Sequence, residues 1–148
     1  MSLKVRIQED VKNAMRAQQR EQLAVLRLVT AAIKQIEVDQ RVELNDEQVL
    51  AVLDKMTKQR RESLEQYQKA GREDLAAQEQ FELDLIQTYL PEPLSEAELA
   101  TLIQSTIADT GASSIRDMGS VMNALRGQVQ GRADMKAVSQ AVKNQLMS

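Results

Sequence analysis

Both prolines of this 148-residue chain stand two residues apart, in Leu90-Pro91-Glu92-Pro93-Leu94. Proline lacks an amide donor and disfavours helical dihedrals in the residue before it, so no helix runs through this segment. On both sides of it apolar residues recur at helical spacing, and no useful strand-like alternation interrupts them. The expectation is an all-α chain: an N-terminal four-helix domain over 1–90, a proline hinge at 91–95, and a small three-helix domain over 96–148. Composition agrees where it bears on the core. With one Phe, two Tyr and no Trp, the interior must be filled by Leu, Ile, Val, Ala and seven Met, which suits helical bundles better than sheets. The second domain is near the lower size limit for folding alone, so it is expected to lean on the first or to stay marginal.

Local signals set the helix boundaries. A first helix is predicted over 3–18, with Leu3, Ile7, Val11, Ala14 and Met15 on one face. The second, over 20–37, is apolar nearly all round and is expected to be a central rod packed on several sides. Asn45 and Gln48 form a capping pair, with Leu44 and Val49 as a hydrophobic staple, so a third helix runs over 46–70 and stops at Gly71. A fourth covers 73–89. After the prolines, Ser95 with Glu98 and Leu94 with Leu99 repeat the same start for a helix over 96–109 that ends at Gly111. Ser114 with Asp117 opens a helix over 115–129, and a last one covers 134–147.

The chain has no histidine and no cysteine. That removes the usual neutral-pH general base, the thiol nucleophile, the common zinc sites and the Glu-x-x-His di-iron site of helical bundles. No phosphate-binding glycine loop, dinucleotide fingerprint or nucleophile elbow is present, and no metal or cofactor is expected. The start, Met1-Ser2-Leu3-Lys4, leads straight into a charged periodic segment, and no apolar run approaches membrane-spanning length. The chain is read as cytoplasmic and soluble, with no membrane and no DNA partner. Its net charge of −3 is unevenly spread: residues 73–109 carry nine acidic side chains and no basic one. This pattern is either a solvated surface or an acidic stretch between two basic lobes that steers an anionic partner.

Several residues hold two readings. Arg20, Arg27, Lys34 and Arg41 are spaced by seven, nearly two helical turns. They either snorkel over apolar neighbours or form a ladder of phosphate contacts. On the third helix, the pairs Asp54–Lys58, Lys58–Glu62 and Arg61–Glu65 suggest a solvated face. Arg60 lies on the apolar line of that helix and should either bridge to a carboxylate or coordinate an anion. Gly119, placed one turn into a helix, implies that another helix or a ligand approaches the backbone there. Met118 and Met122 read first as core, and second as an adaptable binding surface. Asp117 reads as a capping carboxylate.

Lys58-Gln59-Arg60-Arg61-Glu62-Ser63, Gly71-Arg72, Tyr89-Leu90-Pro91, Gly111-Ala112-Ser113-Ser114, Asp117-Met118-Gly119 and Val121-Met122 resemble the YqeY-like proteins in order and spacing, over essentially the whole chain. That family is similar to the C-terminal tail of the B subunit of glutamyl/aspartyl-tRNA amidotransferase, a tRNA-binding appendage. The resemblance implies a tRNA-associated role and a carbon–nitrogen ligase label with glutamine as amido-N donor. In the larger enzyme that chemistry lies in other domains, so this chain is expected to be a non-catalytic RNA-binding module. Candidate contacts are Arg116, Gly119, Arg126, Arg132 and Lys136, with help from Arg27 and Lys34. The alternative is a protein adaptor that docks on a tRNA-handling enzyme through Met118 and Met122. Ser120 and Asn123 depart from the Lys and Gly common in the family.

Overall fold

The computed structural model describes residues 2–147, and among them every regular element is helical. Seven α-helices follow one another: α1 (Leu3–Arg16), α2 (Arg20–Gln40), α3 (Asp46–Lys69), α4 (Glu73–Gln87), α5 (Glu96–Thr110), α6 (Met118–Val129) and α7 (Met135–Met147), with a 3-10 turn at Ile115–Asp117 leading into α6. The chain divides into two compact units, Met1–Leu90 and Pro91–Ser148.

Within the first unit the starts of α1 and α3 are tied together. Ser2 caps α1 by accepting from the Val5 amide, and the Leu3 amide donates to Asp46 Oδ1 at 2.9 Å. Asn45 and Gln48 exchange both bonds of a capping box, each at 2.9 Å, while Leu44 and Val49 are buried as the staple requires. α3 ends at Gly71 (φ +70°), where the amide of Arg72 reaches back to the Tyr67 carbonyl and that of Gly71 to Gln68. These two bonds satisfy carbonyls that a helix end otherwise leaves open. The core is drawn from α1, α2, α3 and the end of α4, with Ile7, Val25, Val29, Val49, Leu53 and Ile86 essentially sealed from solvent.

α1 is fastened to the chain just beyond α4. Buried Tyr89 donates its hydroxyl to Asp10, and the Arg6 guanidinium lies 4.9 Å from the centre of the Tyr89 ring. Burial, and then the Asp10 carboxylate, push the Tyr89 phenol well above its ordinary range, so it stays a donor at any physiological pH.

The second unit packs α5, α6 and α7 around Ile103, Val121, Leu125, Val129, Val138 and Val142, all fully buried. α5 starts on the Ser95–Glu98 capping box and stops at Gly111 (φ +69°) with the same pair of returning amides as α3. The proline segment is clasped to this unit. The Leu94 amide donates to the Arg132 carbonyl at 2.8 Å, and Arg132 Nε donates to the Glu92 carbonyl at 2.9 Å.

Three details differ from expectation. α2 buries only Val25, Leu26, Val29 and Ile33, so it has one covered face and one open face and is no central rod. The helix expected over 115–129 begins as a 3-10 turn, which moves Gly119 into the first turn of α6, where a glycine costs little. A Cβ added to Gly119 would meet nothing within 4 Å, so no neighbouring helix explains that glycine. Finally, α1 and α2 end as α3 does, but with Gln18 (φ +57°) and Arg41 (φ +54°) in the left-handed position. The amides of Gln19 and Val42 return to the carbonyls of Ala14 and Glu37.

Candidate docking surface

A groove of about 640 Å³ runs between α1 and α2, with Lys4, Gln8 and Lys12 on one wall and Arg27, Thr30, Ala31 and Lys34 on the other. Helical periodicity places these residues: those of α1 stand four apart, and those of α2 alternate three, one and three. A smaller cleft of about 300 Å³ continues past Lys34 and Glu37 to Val38, Arg41 and Val42.

The two walls differ in charge. On the α1 side, Lys4 Nζ meets Glu37 Oε2 at 2.6 Å and Glu43 at 3.8 Å, and Lys12 lies 4.0 Å from Glu9. Glu37 also accepts the Leu44 amide at 3.0 Å. The Lys4 bond first, and the Leu44 amide next, hold the Glu37 carboxyl below the ordinary range. On the α2 side, Arg27, Lys34 and Arg41 are exposed and make no ion pair among the described residues. No head of this stripe is held in an ion pair, though Lys34 helps to lower Glu37, and heads left in water agree with the snorkelling reading. The stripe's charge is left to solvent, beside an open apolar row in which Leu28 is 47% and Val38 60% exposed.

The other candidate residues belong to the second unit. Arg116, on the 3-10 turn, and Arg126 and Lys136, on α6 and α7, are exposed. Arg132 is half-buried and holds the proline segment, so its guanidinium serves the fold. Met118 and Met122 are half-buried, packed in part against the second core. Asp117 caps as expected, accepting the Ser113 amide at 2.9 Å and that of Ser114 at 3.3 Å, and these bonds hold its carboxyl low. An α5–α6 groove of about 800 Å³ is lined by Leu94, Glu98, Thr101, Leu102, Gly127 and Arg132, with the clasp at one end.

Arg60 does not close the expected bridge. Its Nη1 donates to the Met56 carbonyl at 3.4 Å, while Nε is buried without a partner. Its charge does reach Glu79, whose carboxyl is raised by burial and then by Glu82, with Arg60 pulling the other way. Nor do Lys58–Glu62 and Arg61–Glu65 pair; Glu65 instead meets Lys69 at 3.0 Å.

A model of the Yqey-like protein family matches residues 4–146, almost the whole chain. The chain belongs to the Yqey-like family. Among Yqey-like relatives, one in Pyrenophora tritici-repentis is 30% identical over 141 residues, which cover 93% of this chain and 77% of the relative. Another in Eremothecium gossypii is 37% identical over 94 residues (62% and 51%), and a third in Vanderwaltozyma polyspora is 36% identical over 106 residues (70% and 57%). The chain thus spans little more than half the length of the latter two. All three are named altered inheritance of mitochondria protein 41, mitochondrial. Those names overturn two expectations for this Yqey-like chain, a cytoplasmic location and a tRNA-binding module.

The open face of α2 is the feature that sequence reasoning missed. The signal was available: exposed Leu28 directly follows Arg27 and exposed Val38 stands between Lys34 and Arg41, on a side separate from the line of Val25, Val29 and Ile33.

Proposed function

We propose that this chain is a non-catalytic helical docking module that holds a protein partner on the outward face of α2, with its four-helix and three-helix units acting as separate domains. The observation that carries the reading is the juxtaposition on one helix of exposed Leu28 and Val38 with exposed, unpaired Arg27, Lys34 and Arg41. Exposed apolar side chains in a row, rimmed by charge, mark sites where another surface is to be buried. The lack of histidine and cysteine supports a role without turnover. The carbon–nitrogen ligase label then belongs to larger enzymes that carry the catalytic domains. The relatives' name, which denotes an inheritance trait of an organelle, also favours action by association.

A photoreactive amino acid placed at Leu28 in the full chain, in the cell of origin, tests this. It is expected to give a discrete protein adduct that is missing when the same group stands at exposed Lys143 of α7. Two results would remove the reading: no adduct at Leu28, Val38 or Arg27, or release of ammonia from glutamine by the purified chain alone.

A further inference from the structure

Two seven-residue patterns share α2. Ala24, Leu28, Ala31, Gln35 and Val38 are spaced alternately four and three, and all five are exposed. That is the spacing of a coiled-coil seam, in which two positions of every seven face a partner helix. Arg27 and Lys34 each stand immediately before a seam residue, Leu28 and Gln35, and Arg20 and Arg41 extend the same line at the two ends. The cations therefore occupy one flank of the seam, the place where a coiled coil sets the identity of its partner by charge. The opposite flank is closed over its first two positions, because Val25 packs in the first core and Ala32 leans on it, and its third, Asp39, is exposed and accepts from Gln35.

We propose that this seam is the seat of an α-helix of another protein, apolar along its contact line and acidic along the edge that lies over the α1–α2 groove. The inference rests on the docking reading above and supplies the partner's chemistry. Charge selects this occupant. Neither Arg20 nor Arg27 has an acidic residue three or four positions away on its own helix, and the one such neighbour of Lys34 and Arg41, Glu37, is already taken by Lys4 at 2.6 Å. The flank thus offers a row of positive charge in which no head closes an ion pair and only Lys34 acts, from a distance, on a carboxylate of its own unit, Glu37. A second copy of this chain does not suit it. A two-fold pairing places the same patch against itself. Run antiparallel, it would set this cationic flank on its own image; run parallel, it would set Arg20 and Arg27 on the part that the core has closed and leave Lys34 alone with an acidic partner, Asp39. Two of the five seam residues are alanines, so the incoming helix comes close, and close approach shortens the reach that its acidic edge needs.

The test uses the full chain and three synthetic three-heptad peptides with one apolar contact line and Glu, Gln or Lys along both flanks. In fluorescence anisotropy at low salt the Glu peptide is expected to bind at least about tenfold more tightly than the Lys peptide, and to weaken as salt is added. Amide shifts in labelled protein should centre on residues 24–38 of α2. The double variant Arg27→Glu/Lys34→Glu is expected to reverse the order of the peptides, and Leu28→Asp to abolish binding of all three. Both change exposed positions, and circular dichroism checks that each is folded. Equal affinity for the three peptides, or shifts centred on another helix, would overturn the proposal. So would a dimer in sedimentation that Leu28→Asp dissolves, which would install a second copy in the seam. If the peptides fail while Leu28 still forms a protein adduct in cells, only the partner's chemistry is wrong; if both fail, the docking reading falls with it.

Discussion

α2 offers two apolar faces with opposite fates. Val25, Leu26, Val29 and Ile33 are sealed in the first core, while Leu28 and Val38, one to five residues from them, stand in solvent beside unpaired cations. Leu28 and Val38 are of the same residue types as those on the covered face, though alanines and Gln35 stand between them. What separates the two faces is whether a second helix covers the face, and a helix can carry one apolar line for its own fold and another for a partner. Such a helix should respond to mutation in two unlike ways.

The largest expected effect is on the covered face. Ile33→Ala should cost about 2–5 kcal/mol in urea unfolding, the range for emptying a fully buried aliphatic site; a loss below about 1 kcal/mol would mean that this face is not the core. Next comes the end of the helix. Arg41 holds a left-handed conformation that costs an L-residue about 1–2 kcal/mol, partly offset by the greater freedom glycine brings to the unfolded chain. Arg41→Gly should therefore raise stability by about 0.5 kcal/mol, and a fall would show that the Arg41 side chain contributes more than its backbone costs.

On the open face, Leu28→Ala should change stability by no more than about 0.5 kcal/mol while weakening partner binding. A large loss of stability would merge the two faces into one core. The smallest effect is a pH dependence at the groove. Glu37 is held below its ordinary range by Lys4, so its contribution is complete above that range and is lost as pH falls through the lowered value. The difference in melting temperature between the wild type and Glu37→Gln should shrink on acidification, and a constant difference would dismiss the pairing.

Much of the fold was legible because its signals are local. The capping boxes at Asn45 and Ser95, their staples and the glycines at 71 and 111 each act within a few residues, and every one is formed. The ends at Gln18 and Arg41 use the same bonds without glycine, and so gave no sign. Arg60 fits its apolar line but closes no ion pair, acting on Glu79 of α4 only from a distance, because pairing depends on where α4 lies and not on spacing along α3. The stripe on α2 was visible as spacing, while its lack of ion pairs needed the fold. Family membership was carried by short motifs over the whole chain, and the relatives' names then corrected the cytoplasmic location read from the start of the chain and the tRNA-binding function that the resemblance implied.

The fastening of Tyr89 to Asp10 and Arg6 has a consequence for biosynthesis. The first unit is closed like a ring, its opening helix latched by almost the last residue before the prolines. Nascent α1 can cover its buried stripe on α2 early, but its latch must wait for nearly the entire unit to leave the ribosome. The same closeness of the two ends means that a short linker from Leu90 back to Leu3, with a new start in the loop at Glu43, should give a circularly permuted unit that folds.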